Sequence, residues 1–147
     1  IRDSVAREHL EEAMILDGDQ IIYNKDILSP NFHCSGYNCV WTEDYTEEWL
    51  LSAEGNRIVS CSRSGGSKGW QLYSISRWTR EDGRKLKEQL ELEFEIRRNR
   101  QIYWDDVPMF CYFGEYELEI YPMNRRDVKE IDNIKELAAI DKNYLNT

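Results

Sequence analysis

The sequence predicts an α+β fold that is mostly β: a meandering antiparallel sheet, curled or barrel-like, with an N-terminal and a C-terminal helix. Three observations predict it. Residues 70–96 alternate apolar and polar side chains about Asp82-Gly83, the dipeptide suited to a two-residue type I′ turn. A second pair of short alternating runs flanks Glu54-Gly55-Asn56. Apolar stripes at helical spacing stand near the two ends of the chain.

Taken in order, Asp3 or Ser4 is placed to cap a first helix, with Ala6, Leu10, Ala13 and Met14 on one stripe. Asp17-Gly18-Asp19 ends that helix, residues 20–24 read as a short strand, and Ser29-Pro30-Asn31 turns the chain. Residues 49–53 and 57–62 form the hairpin about Gly55. The Ser/Gly-rich run 62–69 is a flexible loop between strands.

Folding 70–96 about Asp82-Gly83 sets Thr79 against Leu86, Arg77 against Glu88, Ile75 against Leu90 and Tyr73 against Leu92. The same residues carry a rival helical pattern. Thr79 with Asp82 imitates a capping box, and Leu86, Leu90 and Phe94 lie four apart. The strand is preferred because it alone puts Leu86, Leu90, Leu92, Phe94 and Ile96 on one face. Residues 101–104 read as a further strand, and 108–121 as a hairpin about Gly114 that Pro122 closes. A last helix is expected near 134–145.

Residues 1–147 are read as a single domain, and a start at Ile1 rather than Met is compatible with excision from a longer chain. With 41% hydrophobic and 32% charged residues, the composition is that of a globular domain and excludes disorder. No apolar run is long enough for a membrane span, so no membrane is expected as a partner. The net charge is −9, concentrated in residues 1–60, where 12 acids face 4 bases. Such a field repels phosphate backbones and excludes non-specific nucleic-acid binding. Without a visible secretory signal, Cys34, Cys39, Cys61 and Cys111 are expected as reduced thiols in a cytoplasmic protein.

Three constellations carry chemistry. Glu91, Glu93 and Glu95, and again Glu115, Glu117 and Glu119, place three carboxylates on one strand face at roughly 7 Å spacing. That spacing suits a divalent metal holding a triphosphate. The three-residue pattern is similar to the glutamate-alternating strands of triphosphate-tunnel enzymes, and the likeness implies a metal-dependent phosphohydrolase. The plainer account is a strand face made soluble by charge. Cys34 and Cys39, beside His33, form one loose ligand pair, too few for structural zinc. No bound metal and no cofactor are therefore expected.

The third constellation is aromatic. Trp41, Tyr45 and Trp49 lie in the acidic N-terminal part, and Trp104 precedes Asp105 and Asp106. Rings beside carboxylates suit a cationic ligand or a basic protein surface. The expectation is a small acidic binding protein of inhibitor or immunity type, acting on a basic protein partner through these six residues. The alternatives are a ligand-binding domain whose aromatic-acidic pocket takes a cationic or methylated base, and the glutamate-ladder phosphohydrolase.

Overall fold

The structure is a computed structural model that describes residues 7–143. Among the described residues there are eight strands: β1 Ala13–Leu16, β2 Gln20–Ile22, β3 Gly36–Thr42, β4 Leu50–Glu54, β5 Arg57–Ser62, β6 Gly69–Trp78, β7 Glu119–Pro122 and β8 Val128–Glu130. The described residues also hold the α-helices α1 Arg80–Glu91 and α2 Ile134–Ile140.

The ten-residue β6 organises the sheet. One of its edges pairs antiparallel with β3. The other is shared, with β4 opposite Trp70 and Gln71 and β1 opposite residues 75–78. Because β3 also pairs with β7, β7 with β5 and β5 with β4, five strands close into a ring and β1 is appended to it. The curled, barrel-like expectation holds to that extent. The purely antiparallel meander does not, because β3 and β7 run parallel, with Gly36 opposite Glu119. Strands β2 and β8 form a separate antiparallel pair.

Alternation along β6 sends its side chains into two cores. Leu72 and Trp78 join a large core with Tyr37, Cys39, Leu86 and Leu118. Tyr73 and Ile75 join a smaller one with Ile27, Val40 and Met123. A strand buried on both faces needs no exposed polar row, and this one has none.

The main departure from expectation is residues 80–96. They are not the return strand of a hairpin: α1 covers Arg80–Glu91, and a π-helical turn continues over Leu92–Ile96. The cap decides between the two patterns. Thr79 Oγ1 accepts from the Asp82 N–H at 3.3 Å. Ser35, on the segment before β3, locks both residues: its Oγ donates to Asp82 Oδ2 at 2.6 Å and accepts from Thr79 N–H at 2.9 Å. Such a cap is worth about 1 kcal/mol, and Leu86 and Leu90 then fall buried on one face. Ile96, inward on the strand reading, is 73% exposed.

Gly83 serves close packing rather than a turn. A Cβ there would stand 2.1 Å from the backbone oxygen of Leu10. Gly83→Ala therefore sets a helix-propensity gain of about 1 kcal/mol against a backbone clash of about 1–3 kcal/mol. Urea unfolding is expected to show a net loss of stability. A variant more stable than the parent would show that the Leu10 segment yields freely.

Other expectations divide. The hairpin about Gly55 forms as β4 and β5, with Gly55 at φ +59°. The expected 108–121 hairpin is replaced by a π-helical turn at Val107–Cys111 and a 3-10 turn at Phe113–Glu115, so only β7 is strand, ending at Pro122. Residues 101–104 form no strand. The first helix is overturned where it is described: Arg7–His9 is a single 3-10 turn, and Ala13 and Met14 open β1. Its cap and Ala6 lie outside the described residues. The last helix covers Ile134–Ile140 behind an Asn133 cap, and residues 144 and 145 lie outside the described residues. Among the described residues no helix is long and apolar enough to cross a membrane.

Candidate active site

A cleft of about 350 Å³ is lined by Asp17, Glu48, Trp49, Leu72, Ser74, Tyr103, Trp104, Asp105 and Glu130. Four carboxylates and three aromatic rings line it, with no lysine or arginine among the lining residues, so its field favours a cation.

Each wall is held by a different part of the fold. Asp17 follows β1, and its N–H donates to Ser74 O on β6 at 3.3 Å. Trp49 leads into β4: its carbonyl accepts from Leu72 N–H at 2.9 Å, and its ring meets Phe110 edge-on at 5.2 Å. Glu130 ends β8 opposite Gln20, and Ile131 N–H donates to Asp19 O at 2.8 Å, drawing the end of β8 to the turn after β1. Desolvation first, then the neighbouring carboxylates Glu48, Asp19 and Asp132, raise the Glu130 carboxyl above its ordinary range.

The far wall is the 103–106 turn. Asp106 Oδ2 accepts from Tyr103 N–H at 2.8 Å, and Asp106 Oδ1 meets Arg63 Nη2 at 2.5 Å. Arg63 in turn lies 3.8 Å over the Phe110 ring. Asp105 Oδ1 accepts from the hydroxyl of the fully buried Tyr37 at 2.6 Å. Burial, then the Asp105 charge, pushes the Tyr37 phenol well above its ordinary range, so it remains the donor. Trp104 leans edge-on against Trp78 at 6.2 Å. Tyr103 is 75% exposed at the mouth.

Of the six residues singled out from the sequence, the cleft brings together Trp49, Trp104 and Asp105. Asp106 stands behind them as the anchor of the turn. Trp41 and Tyr45 do not reach the cleft: Trp41 packs on Trp70 at 5.4 Å and donates to Glu43, and Tyr45 is exposed. Sequence reasoning missed Asp17, Glu48 and Glu130, and counted Tyr103 in the aromatic excess without placing it among the six. Asp17 was hidden in a turn signal, read as a helix stop.

The glutamate ladders do not exist as rows. On a helix, residues two apart are turned by about 200°, so Glu91, Glu93 and Glu95 point apart. Glu93 is buried and takes bonds from Arg97 at 2.8 Å, Tyr112 at 2.9 Å and Asn99 at 3.3 Å, tying the π-helical turn to the segment after the cleft wall. Because Arg97 is largely exposed, its loss is discounted, and Glu93→Ala is expected to cost about 2 kcal/mol. Exposed Glu95→Ala is expected to cost less than half as much by urea unfolding; equal losses would remove Glu93's special role.

Glu115, Glu117 and Glu119 line a second cleft with Cys34, Asp82 and Lys85. Only Glu119 of the three is in a strand. The Cys34–Cys39 pair is also separated: Cys39 is fully buried in the large core, whereas Cys34 lines that acidic cleft. Burial raises the Cys39 thiol and pushes that of Cys61 to about 12, keeping both protonated. Among the described residues no three metal-ligating side chains converge.

Comparison with known proteins overturns the binding-protein expectation. No protein-family model matches the chain. It is 24% identical over 131 residues to the 2-aminoethylphosphonate cytidylyltransferase of Lancefieldella rimae, covering 89% of this chain and 53% of that protein. Its fold superposes on the CTP:phosphocholine cytidylyltransferase of Streptococcus pneumoniae with a TM-score of 0.80 at 18% identity, over 95% of this chain and 60% of that one. It also superposes on the inositol-1-phosphate CTP transferase of T. maritima with a TM-score of 0.58 at 12% identity, over 97% and 58%. The chain thus spans about half the length of the curated relative it matches. These proteins are nucleotidyltransferases, which points to an enzyme in place of an inhibitor or binding protein, and the fold is nucleotidyltransferase-like.

Proposed function

We propose that this chain forms the acceptor side of a cytidylyltransferase whose acceptor is a small phosphate or phosphonate carrying a cationic amine. The observation that carries the reading is the cleft itself, where Trp49, Tyr103 and Trp104 stand with Asp105 and Glu48. Aromatic faces and a buried carboxylate are what an ammonium group needs on leaving water. The two cytidylyltransferases named above act on 2-aminoethylphosphonate and on phosphocholine, both of which pair such a group with an anionic phosphorus centre.

In the reaction an acceptor oxygen attacks the α-phosphorus of CTP. A P–O bond forms, the bond to pyrophosphate breaks, and pyrophosphate leaves. Nucleotidyl transfer gathers several negative charges, which a divalent cation neutralises when bound. The chain supplies at most a partial shell for such an ion, since no three ligating side chains converge among the described residues. Asp17 and Glu130 line one cleft, and magnesium ordinarily takes one or two carboxylates with substrate phosphates completing its shell. Burial first, and the nearby carboxylates after it, raise the Glu130 carboxyl, and a bound cation would favour its charged form. A nucleotide donor and free thiols suit a cytoplasmic setting.

The test has two arms. In the protein carrying this chain, CTP with 2-aminoethylphosphonate or phosphocholine should release pyrophosphate in step with acceptor. In a titration followed by tryptophan fluorescence, 2-aminoethylphosphonate should bind at least tenfold tighter than ethylphosphonate, which lacks the amine. Equal binding of the two removes the amine from the proposal. Pyrophosphate release from neither acceptor removes the reaction.

A further inference from the structure

A third cavity, of about 370 Å³, opens on the face of β3 and β6 opposite the aromatic cleft. Arg77 and Asn38 line it, with Tyr121, Met123, Asn124 and Asp127. Arg77 is only 4% exposed, and Asn38 only 1%. The Arg77 guanidinium has two partners: Nη2 donates to the backbone oxygen of Ile27, and the plane lies 3.9 Å over the Tyr121 ring. Neither is an anion, and among the described residues no carboxylate pairs with it. Two carboxylates, Asp26 and Asp127, also line the cavity without forming an ion pair with Arg77, and Asp127 Oδ2 accepts from Asn124 N–H at 2.9 Å.

Two buried polar atoms of residues that line this cavity lack partners, the donor Arg77 Nη1 and the acceptor Asn38 Oδ1. The Asn38 amide nitrogen is turned to Met123 Sδ at 3.6 Å. A guanidinium buried without counter-charge is costly, and an orphaned amide oxygen adds to that cost. A water molecule would satisfy the hydrogen bonds but not the charge. A hydroxylated oxyanion satisfies both, with P–O⁻ for Arg77 and P–OH for Asn38. We propose that this cavity is a binding site for a small hydroxylated oxyanion of the hydrogen-phosphate type, held between Arg77 and Asn38.

The site does not depend on the function proposed above, although it touches the same strands. Asn38 follows Tyr37, which holds Asp105, and Arg77 precedes Trp78, which supports Trp104. Neighbouring strand residues face opposite sides, so an anion here sits behind both supports.

Titration of the protein with inorganic phosphate, followed by the NMR signals of the Asn38 amide and the Arg77 guanidinium, is the test. Those two signals report this cavity and not the aromatic cleft, so failure of either site is read separately. Saturable shifts at both groups are expected, with sulfate, which has no proton to donate at neutral pH, at least tenfold weaker. Arg77→Met should abolish the shifts. Should that variant not fold, Asn38→Asp decides: it sets a carboxylate beside Arg77, replaces the ligand's charge from within, and should weaken phosphate at least tenfold while raising the melting temperature. Absence of saturable shifts in the parent, sulfate binding equal to phosphate, or unchanged phosphate binding in Asn38→Asp would overturn the site.

Discussion

Trp78→Ala is expected to lower unfolding stability by about 3–5 kcal/mol, a large part of the total for a domain of this size. Trp78 is fully buried. It meets Tyr37 at 6.0 Å, Tyr116 at 5.8 Å and Trp104 at 6.2 Å, each edge-on. Its Nε1 donates to Ser76 Oγ at 2.9 Å, and Ser76 is itself fully buried. Truncation therefore opens a cavity among Tyr37, Trp104 and Tyr116 and leaves a hydroxyl without its donor, two penalties that add. Trp78→Phe keeps most of the ring contacts and should lose less than half as much. Urea denaturation measures both. A loss below about 1.5 kcal/mol for Trp78→Ala would mean that the surrounding core collapses freely, and that Trp78 does not hold Tyr37, Trp104 and Tyr116 together.

Asp105→Asn is expected to weaken an amine-bearing acceptor about thirtyfold, or about 2 kcal/mol, while leaving ethylphosphonate binding unchanged. The substitution keeps the size of the side chain and an acceptor for the Tyr37 hydroxyl, but it removes the charge from the wall of the cleft. Trp104→Ala acts differently. It removes an aromatic face and the support of Trp78, so it should weaken the amine-bearing acceptor and lower stability together. Binding measured by fluorescence or calorimetry separates the two. If Asp105→Asn weakens the amine and the amine-free ligand equally, the carboxylate does not read the ammonium group.

Local rules read some of this molecule correctly. Gly55 marks a tight turn because φ +59° suits it, and the alternation on either side specifies β4 and β5. The run at 69–78 is strand because its apolar residues follow period two on both faces. Proline ends β7 because it has no N–H to donate. In each case the deciding residues lie within a few positions of one another.

Residues 80–96 failed that condition. Their apolar spacing fits helix and strand alike, and Asp82-Gly83 serves a hairpin turn or a helix start. The choice was made from afar: Ser35 closes the cap at Thr79 and Asp82, and the Leu10 backbone packs against Gly83. The candidate site was legible to the same degree. Trp104 beside Asp105 advertised a ring and a charge in one turn, and Trp49 was visible as an aromatic in an acidic stretch. Asp17, Glu48 and Glu130 were not, since a lone carboxylate in a turn or at a strand end looks like ordinary solvated charge. They acquire meaning when β1, β4 and β8 bring them to one cleft. By itself the sequence determined where chain reversals with short-range causes fall and which residues are fit for the interior. The closed ring, the parallel β3–β7 contact and the cleft were decided by tertiary structure, because their partners lie tens of residues apart and no local pattern records which distant surface will cover a given face.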